Sequence, residues 1–251
     1  MNCEFSEFSY GYAAIRHAEV DLFNMFGPGS FPFQPSLRAE ATHGWDVRLA
    51  FPGFALLMQF KLSSFIGRPH PRSPTWGAVS TPHYRFAVDT RHHQFRALLA
   101  LEQEMRRLRV PGDVLYAAPN FRTVNEFDEV YRSGAVLDES MLVAPSQFSG
   151  PIGWHHYTVD LYGHARILSE PTSVEVPIRW SDLRRRARRY LRRPFARREQ
   201  DFYKLLDAVS TVSYEFGIPF SVDEEVNPLT ELERFALLLG CSIVLPPSPF
   251  N

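Results

Sequence analysis

The segment from Gly44 to Ser63, GWDVRLAFPGFALLMQFKLS, constrains the fold more than any other part of the chain. Two apolar stretches flank a Pro-Gly pair, and this pattern predicts a β-hairpin. The second stretch, 54–62, is too apolar for an ordinary exposed strand, yet it carries Gln59 and Lys61. Because side chains alternate between the two faces of a strand, these two polar residues share one face.

The turn of this hairpin sets the expected pairing of its strands. With Pro52-Gly53 in the two central turn positions, Asp46 lies directly opposite Gln59, with Cβ atoms ~4.5–5.5 Å apart. Lys61 is then diagonal to Asp46 on the same face, which we expect to look away from the core. A shift of one residue would send Asp46 to the other face.

The residues on this face are suited to metal-assisted hydrolysis of a phosphodiester. Mg²⁺ prefers oxygen ligands, which Asp46, the Gln59 amide and the Phe60 carbonyl could supply. Glu40, at the end of a short helix expected before the first strand, could bring a second carboxylate. The Lys61 ammonium could orient or activate a water molecule and stabilise developing charge. The other interpretation is an edge hairpin with one solvated face.

The elements that follow predict an α/β protein. A strand is expected over 83–88, an amphipathic helix over 92–108, and a buried strand over 113–121 whose end, YAAPNF, could line a substrate groove or belong to the core. A short helix over 124–134 and a hairpin over 155–168 come next. Through residue 121 the order is helix, strand, strand, strand, helix, strand, which indicates an α/β fold with a mixed sheet.

These features resemble the PD-(D/E)xK nuclease superfamily, which has the restriction-endonuclease-like fold. Asp46 precedes a short hairpin, and Gln59-Phe60-Lys61 closes an apolar strand, as in the Q-x-K variant of Mrr-type restriction enzymes. The order of elements over about residues 35–121 is similar to the core of that family. Gln94 resembles, by its position, the helix glutamine of RecB-like members.

The resemblance implies an Mg²⁺-dependent nuclease, with Mn²⁺ as a substitute metal. It implies Asp46, Gln59, Phe60 and Glu40 as metal ligands, and Asp46, Gln59, Lys61 and Glu40 as the catalytic group. DNA is favoured over RNA as the substrate, and a bacterial defence role follows by family analogy alone. Since Gln59 replaces the usual acid, a catalytically inactive nucleic-acid-binding or adaptor protein on the same fold is the alternative.

The second notable feature is a group of ten arginines between residues 179 and 198. Arginine pairs well with phosphate because its planar guanidinium donates two hydrogen bonds at once. This segment should be helical, with Leu183, Ala187, Tyr190 and Leu191 as a narrow apolar stripe. Its arginines could instead pair with nearby acids such as Asp182 and Asp201, or bind an acidic partner protein. The expected nucleic-acid contacts are Arg184, Arg185, Arg188, Arg189, Arg192 and Arg193.

Length and composition bound the remaining possibilities. The chain has 251 residues, of which 45% are hydrophobic, and a net charge of −1, as is typical of a globular protein. We expect a nuclease-like α/β domain over 1–170 and an arginine-rich, mostly helical unit over 171–251, packed on that core. A homo-oligomer, or a partner protein in a defence complex, could accompany such a nuclease.

Several classes of protein are disfavoured by the sequence. Two cysteines are too few for a disulfide framework or a cysteine zinc site. The adjacent histidines at 92–93 and 155–156 point to opposite faces if they lie on strands, so neither pair chelates a metal by itself. Neither a secretory signal nor a run of ~20 apolar residues is present, so a cytoplasmic location without membrane contact is expected.

Overall fold

A computed structural model describes residues 1–26, 30–33, 48–50, 54–68, 79, 81–148, 152–168, 172–174, 177–218 and 242–245. Within these ranges five α-helices and eleven strands are present. The helices are α1 Glu7–Phe26, α2 His93–Leu108, α3 Val124–Arg132, α4 Trp180–Leu191 and α5 Phe195–Phe216. The strands are β1 Ser30–Phe33, β2 Arg48–Ala50, β3 Ala55–Phe60, β4 Ser64–Ile66, β5 His83–Asp89, β6 Gly112–Pro119, β7 Ser140–Val143, β8 Trp154–Asp160, β9 Ala165–Ile167, β10 Thr172–Val174 and β11 Ser242–Leu245.

The strands form two sheets. A six-stranded mixed sheet has the order β1-β2-β11-β3-β6-β7, and a five-stranded antiparallel sheet has the order β10-β9-β8-β5-β4. At the centre of the mixed sheet, β3 and β6 run parallel from Ala55 opposite Gly112 to Phe60 opposite Ala117. The α/β class and the mixed sheet that the sequence predicts are therefore confirmed.

One expectation about strand pairing is wrong. The hairpin expected over 44–63 is not formed, because β11 lies between β2 and β3 and pairs with both. The strand expected over 83–88 exists as β5, but it pairs with β4 and β8 in the other sheet. The restriction-endonuclease-like core that the resemblance implies stays a prediction. The helix over 36–44, and with it Glu40, lies outside the described residues.

Both faces of β3 are covered by apolar side chains. Leu56, Met58 and Phe60 join a buried cluster with residues of α1 and α4. Ala55 and Leu57 point the other way, into a cluster built from α2, α5 and the five-stranded sheet. Apart from Gln59, the strand is hydrophobic because it has no solvated face.

The helices form where local signals and buried faces agree. The helix expected over 92–108 is α2, whose His92 side chain accepts a hydrogen bond from the Gln94 backbone N–H at 3.3 Å. Thr123 and Glu126 form a capping box at the start of α3. On α4, the predicted apolar positions Leu183, Ala187 and Tyr190 are buried, together with Trp180. Among the described residues, no helix is both long and apolar enough to cross a membrane.

Candidate functional site

The carboxyl ends of β3 and β6 lie side by side at one edge of the mixed sheet. Parallel pairing brings them together: the Lys61 N–H donates to the Ala117 carbonyl at 2.9 Å, just beyond the end of β3. The Ser63 hydroxyl donates to the Pro119 carbonyl at 2.6 Å, which fastens the next residues of the chain to β6. In open α/β sheets, ligands bind in the crevice outside the carboxyl ends of strands. This edge of the mixed sheet is therefore the candidate ligand-binding site.

Gln59 lies in the core, contrary to the face expected from the sequence. Its position opposite Tyr116 and its alternation with Leu57 point it toward the five-stranded sheet, and the residue is 6% exposed. The expectation of an open face is wrong because the second sheet and α2 cover this side of β3. Gln59 is therefore covered on the side that the sequence predicts to be open.

Lys61 lies just beyond the end of β3 and is partly exposed. Lys61 and Lys204 are the two lysines of the chain, among 27 lysines and arginines in all. A lysine at this position is unusual in this chain, because nearly all of its other basic residues are arginines. A compact ammonium with three rotatable donors differs in its chemistry from a rigid guanidinium.

The Phe60 carbonyl suits a ligand role better than the Phe60 side chain does. The N–H and carbonyl of one strand residue point to the same side, and those of the next residue to the other. Since the Lys61 N–H points to β6, the Phe60 carbonyl points away from β6, past Ser242 at the start of β11. The Phe60 ring is buried and meets the Tyr10 ring edge-on at 5.7 Å.

The charged ligands that the sequence predicts, Asp46 and Glu40, lie outside the described residues. Because β11 lies between β2 and β3, these two strands are about 10 Å apart, and the side chains of β2 do not lie directly opposite those of β3. Within the described ranges, no group of three or more His, Cys, Asp and Glu side chains could hold a metal ion. The described donors at the strand end, the Gln59 amide and the Phe60 carbonyl, are neutral oxygens of the kind that Mg²⁺ accepts alongside carboxylates.

The six arginines expected to bind nucleic acid divide into two groups. Arg184 pairs with Asp21 and Asp138, Arg185 with Asp182, and Arg193 with Asp201. Asp182 and Asp201 are among the acids proposed for the paired-helix interpretation, so that interpretation is confirmed for their two partners. Arg188, Arg189 and Arg192 make no ion pair within the part of the chain that the structure describes, although the Arg188 Nε lies 3.1 Å from the Met25 sulfur.

The exposed arginines of α4 lie on one stripe. Positions 185, 188, 189 and 192 recur at helical spacing, and all four side chains are exposed. The opposite face carries the buried Trp180, Leu183, Ala187 and Tyr190. We call the four exposed residues the arginine stripe. A stripe of this kind can follow a phosphate backbone.

A buried polar cluster fastens α4 to α1. The Trp180 indole N–H and Arg184 Nη1 both donate to Asp21 Oδ2, at 2.6 and 3.1 Å. His17 Nδ1 accepts from the Leu137 backbone N–H at 2.9 Å, which leaves Nε2 to face Asp21 at 3.3 Å. Burial lowers the pKa of His17, against the opposing effect of the two neighbouring aspartates. The cluster is structural, since both nitrogens of neutral His17 have partners.

A second ion pair, between Arg186 and Asp113, fastens α4 to the start of β6. Arg186 Nη1 lies 3.0 Å from Asp113 Oδ1. Burial raises the pKa of Asp113 to about 6, and Arg186 offsets only part of this effect. The pair lies at the amino end of β6, whereas Lys61 lies at the carboxyl end of its neighbour β3, so the pair does not take part in the candidate site.

A pocket of about 300 Å³ opens at the carboxyl end of β6, between the two sheets and the start of α4. Asn120, in the predicted groove segment YAAPNF, lines it together with Ser140, Tyr157, Arg179 and Trp180. Arg179 belongs to the arginine group predicted from the sequence, but no sequence pattern links it to Tyr157, because the two come together only through the packing of β8 against the segment before α4.

Comparison with known proteins finds no similar protein, so the candidate site is described from its geometry alone. No protein-family model, no curated protein and no solved structure matches the chain.

Proposed function

We propose that the protein is an Mg²⁺-dependent nuclease that hydrolyses phosphodiester bonds, with DNA favoured over RNA. The observation that carries the proposal is the position of Gln59-Phe60-Lys61 at the carboxyl end of a central strand, beside the end of a parallel neighbour. That edge is where α/β sheets bind ligands, and Lys61 is the cation placed there. A role in bacterial defence is consistent with this activity by analogy.

The residues at the strand end have distinct roles in this proposal. The Lys61 ammonium contacts a non-bridging phosphate oxygen, orients the attacking water, and stabilises the negative charge that grows in the transition state. The Gln59 amide and the Phe60 carbonyl, with Asp46 and Glu40, would hold Mg²⁺, which supplies Lewis-acid activation of water and phosphate. Burial of Gln59 keeps its side chain in one place, which suits a group that must position a partner.

The arginine stripe supports nucleic acid as the substrate. Its four guanidinium groups are exposed on one face of α4, and three of them, at 188, 189 and 192, have no acid partner in the described ranges. Each contact with a phosphate should add about one unit to the slope of log affinity against log salt concentration.

The proposal is tested by changing Lys61 in the purified, folded protein. Lys61→Ala should abolish Mg²⁺-dependent cleavage of plasmid DNA, single-stranded DNA and RNA while leaving binding within a few-fold. Lys61→Arg keeps the charge but not the compact ammonium, so it should also cleave poorly. Lys204→Ala is the matched control, because Lys204 lies 3.6 Å from Asp201 on α5, away from the strand end. Cleavage by Lys61→Ala at the wild-type rate would refute the assignment.

A second candidate is a nucleic-acid-binding or adaptor protein without catalysis. The insertion of β11 between β2 and β3 favours it, since β2 does not pair with β3 as the expected site requires. Calorimetric titration with Mg²⁺ and Mn²⁺ separates the two proposals. Salt-sensitive nucleic-acid binding that is lost in Arg188→Ala/Arg192→Ala, without metal binding or cleavage, would favour this second candidate.

A further inference from the structure

The pocket at the carboxyl end of β6 has polar atoms without partners. Asn120 Oδ1 is buried and makes no hydrogen bond with any described residue. Tyr157 is 1% exposed, and its hydroxyl likewise makes none within the described ranges. Burial raises the pKa of Tyr157, so its hydroxyl stays protonated and remains a donor. Buried polar groups are nearly always paired, so an acceptor and a donor on one pocket indicate a ligand with the complementary pair.

The walls of the pocket suit a flat ring. Pro177 and Ile178 form one part of the apolar lining and Val159 of β8 another, and all three are partly exposed. Trp180 lies behind this lining, since it is 2% exposed and its indole N–H is bonded to Asp21. A nucleobase has apolar faces and an edge that carries both donors and acceptors, which matches this arrangement.

The start of α4 provides a place for a phosphate. Arg179, the N-cap residue, is exposed, makes no side-chain cap and forms no ion pair with any described residue. The backbone N–H groups of Trp180 and Ser181 have no partner in the described ranges, since the first bonds to Arg179 come from Asp182 and Leu183. Unpaired N–H groups at the start of a helix bind anions. Asp138 also lines the pocket, and Arg184 Nη2 lies 3.6 Å from its carboxylate.

The pocket and the arginine stripe are continuous. Ser181 lines the pocket and lies one helical turn before Arg185, the first member of the stripe. From Ser181 to Arg192 the helix rises about 16 Å, which is room for several phosphates. Tyr162, 83% exposed, lies beside Gly163 of the pocket lining, and its ring is 6.3 Å from that of His164. Exposed aromatic rings beside a basic groove are typical of proteins that stack unpaired bases.

We propose that this pocket holds one unpaired nucleotide of a single-stranded nucleic acid. The base lies against Pro177 and Ile178 with its edge at Asn120 and Tyr157, its phosphate lies at the start of α4, and the neighbouring phosphates follow the arginine stripe. A base pair does not fit, because a pocket of about 300 Å³ is small and pairing occupies the base edge. The inference rests on the proposed function for the claim that the substrate is nucleic acid.

The test measures binding without cleavage. Fluorescence anisotropy of the full chain carrying Lys61→Ala should show at least ten-fold tighter binding to a labelled single-stranded 12-nucleotide DNA than to the blunt duplex. Adding Tyr157→Phe should weaken single-strand binding about five- to ten-fold, as expected for one lost hydrogen bond, and leave duplex binding unchanged. Its melting temperature should be equal or higher, because the hydroxyl has no hydrogen-bond partner among the described residues.

Tyr190→Phe is the matched control. The Tyr190 hydroxyl donates to Asp201 at 2.9 Å on the buried side of α4, so this variant should melt lower and keep the single-strand preference. Equal binding of single strand and duplex, no binding of either, or full binding by Tyr157→Phe would overturn the pocket assignment; in the last case the two polar atoms hold only water. Failure of the nuclease proposal is seen separately: wild-type protein that does not cleave but keeps the Tyr157-dependent preference refutes catalysis and supports the pocket.

Discussion

Gly112→Ala should disrupt the pairing on which the candidate site depends. Gly112 opens β6 opposite Ala55, and a Cβ there would lie 2.1 Å from the Ala55 carbonyl oxygen and 2.8 Å from Met105 Cε. The methionine end can move, but the backbone of a central strand cannot. The φ angle of 155° is also one that residues with a side chain rarely adopt.

The expected cost of this substitution follows from two contributions. Overpacking against fixed atoms costs ~1–3 kcal/mol, and a strained backbone angle adds ~1–3 kcal/mol. A loss of about 4 kcal/mol in the free energy of unfolding corresponds to a melting temperature lower by about 8–16 °C in a chain of this size. Urea denaturation followed by circular dichroism measures it. Cleavage should fall as well, because Lys61 is placed by the same pairing.

Gly134→Ala is the control for backbone strain alone. Gly134 has a φ of 66°, and a Cβ there would meet no atom within 4 Å. The left-handed conformation should then cost ~1–2 kcal/mol, without any steric contribution. If the unfolding free energies of Gly112→Ala and Gly134→Ala differ by less than about 1 kcal/mol, the parallel pairing of Ala55 with Gly112 is refuted.

Three further predictions concern stability. Burial raises the pKa of Asp113 from 3.8 to about 6, so the stability that its protonated carboxyl contributes is greatest below pH ~4 and is lost as the pH rises through about 6. Over that window the difference in unfolding free energy between wild type and Asp113→Asn should change by ~3 kcal/mol, and an unchanged difference would contradict this prediction. The lowered pKa of His17 has the opposite effect on stability, which falls as the pH drops below ~6.5. In pH-dependent denaturation, His17→Phe should remove this loss, and it should cost ~1–3 kcal/mol because the Leu137 N–H is left without its partner. Thr123→Ala removes the cap of α3 and should cost ~1 kcal/mol in a thermal melt, whereas Thr123→Ser should cost little.

The parts of the fold that could be predicted from the sequence are those with a local signal. The periodicity of 92–108 predicts α2, and the apolar run before Asn120 predicts β6, because in each case the residues that decide the outcome are neighbours in the chain. The pairing of β3 with β11 joins segments almost two hundred residues apart, and no local pattern encodes it. Alternation in 83–88 likewise predicts a strand, but it does not say which sheet the strand joins.

The same division applies to the charged residues. The pairs Arg185–Asp182 and Arg193–Asp201 are close in sequence and could be expected, and a helical stripe follows from spacing alone. Arg186–Asp113 joins α4 to a distant strand, so it could not be foreseen. Sequence reasoning therefore overestimates the number of free arginines on such a helix, because the acids that neutralise some of them come from elsewhere in the fold.

The burial of β3 on both faces makes its carboxyl end the one part of the strand that can meet a substrate. Lys61 lies there, and Asn120 lies just past the end of the adjacent β6, two residues beyond the position opposite Lys61. Strand spacing and rise place the two backbones about 8 Å apart. A nucleotide held at Asn120 would thus present a neighbouring phosphodiester to Lys61.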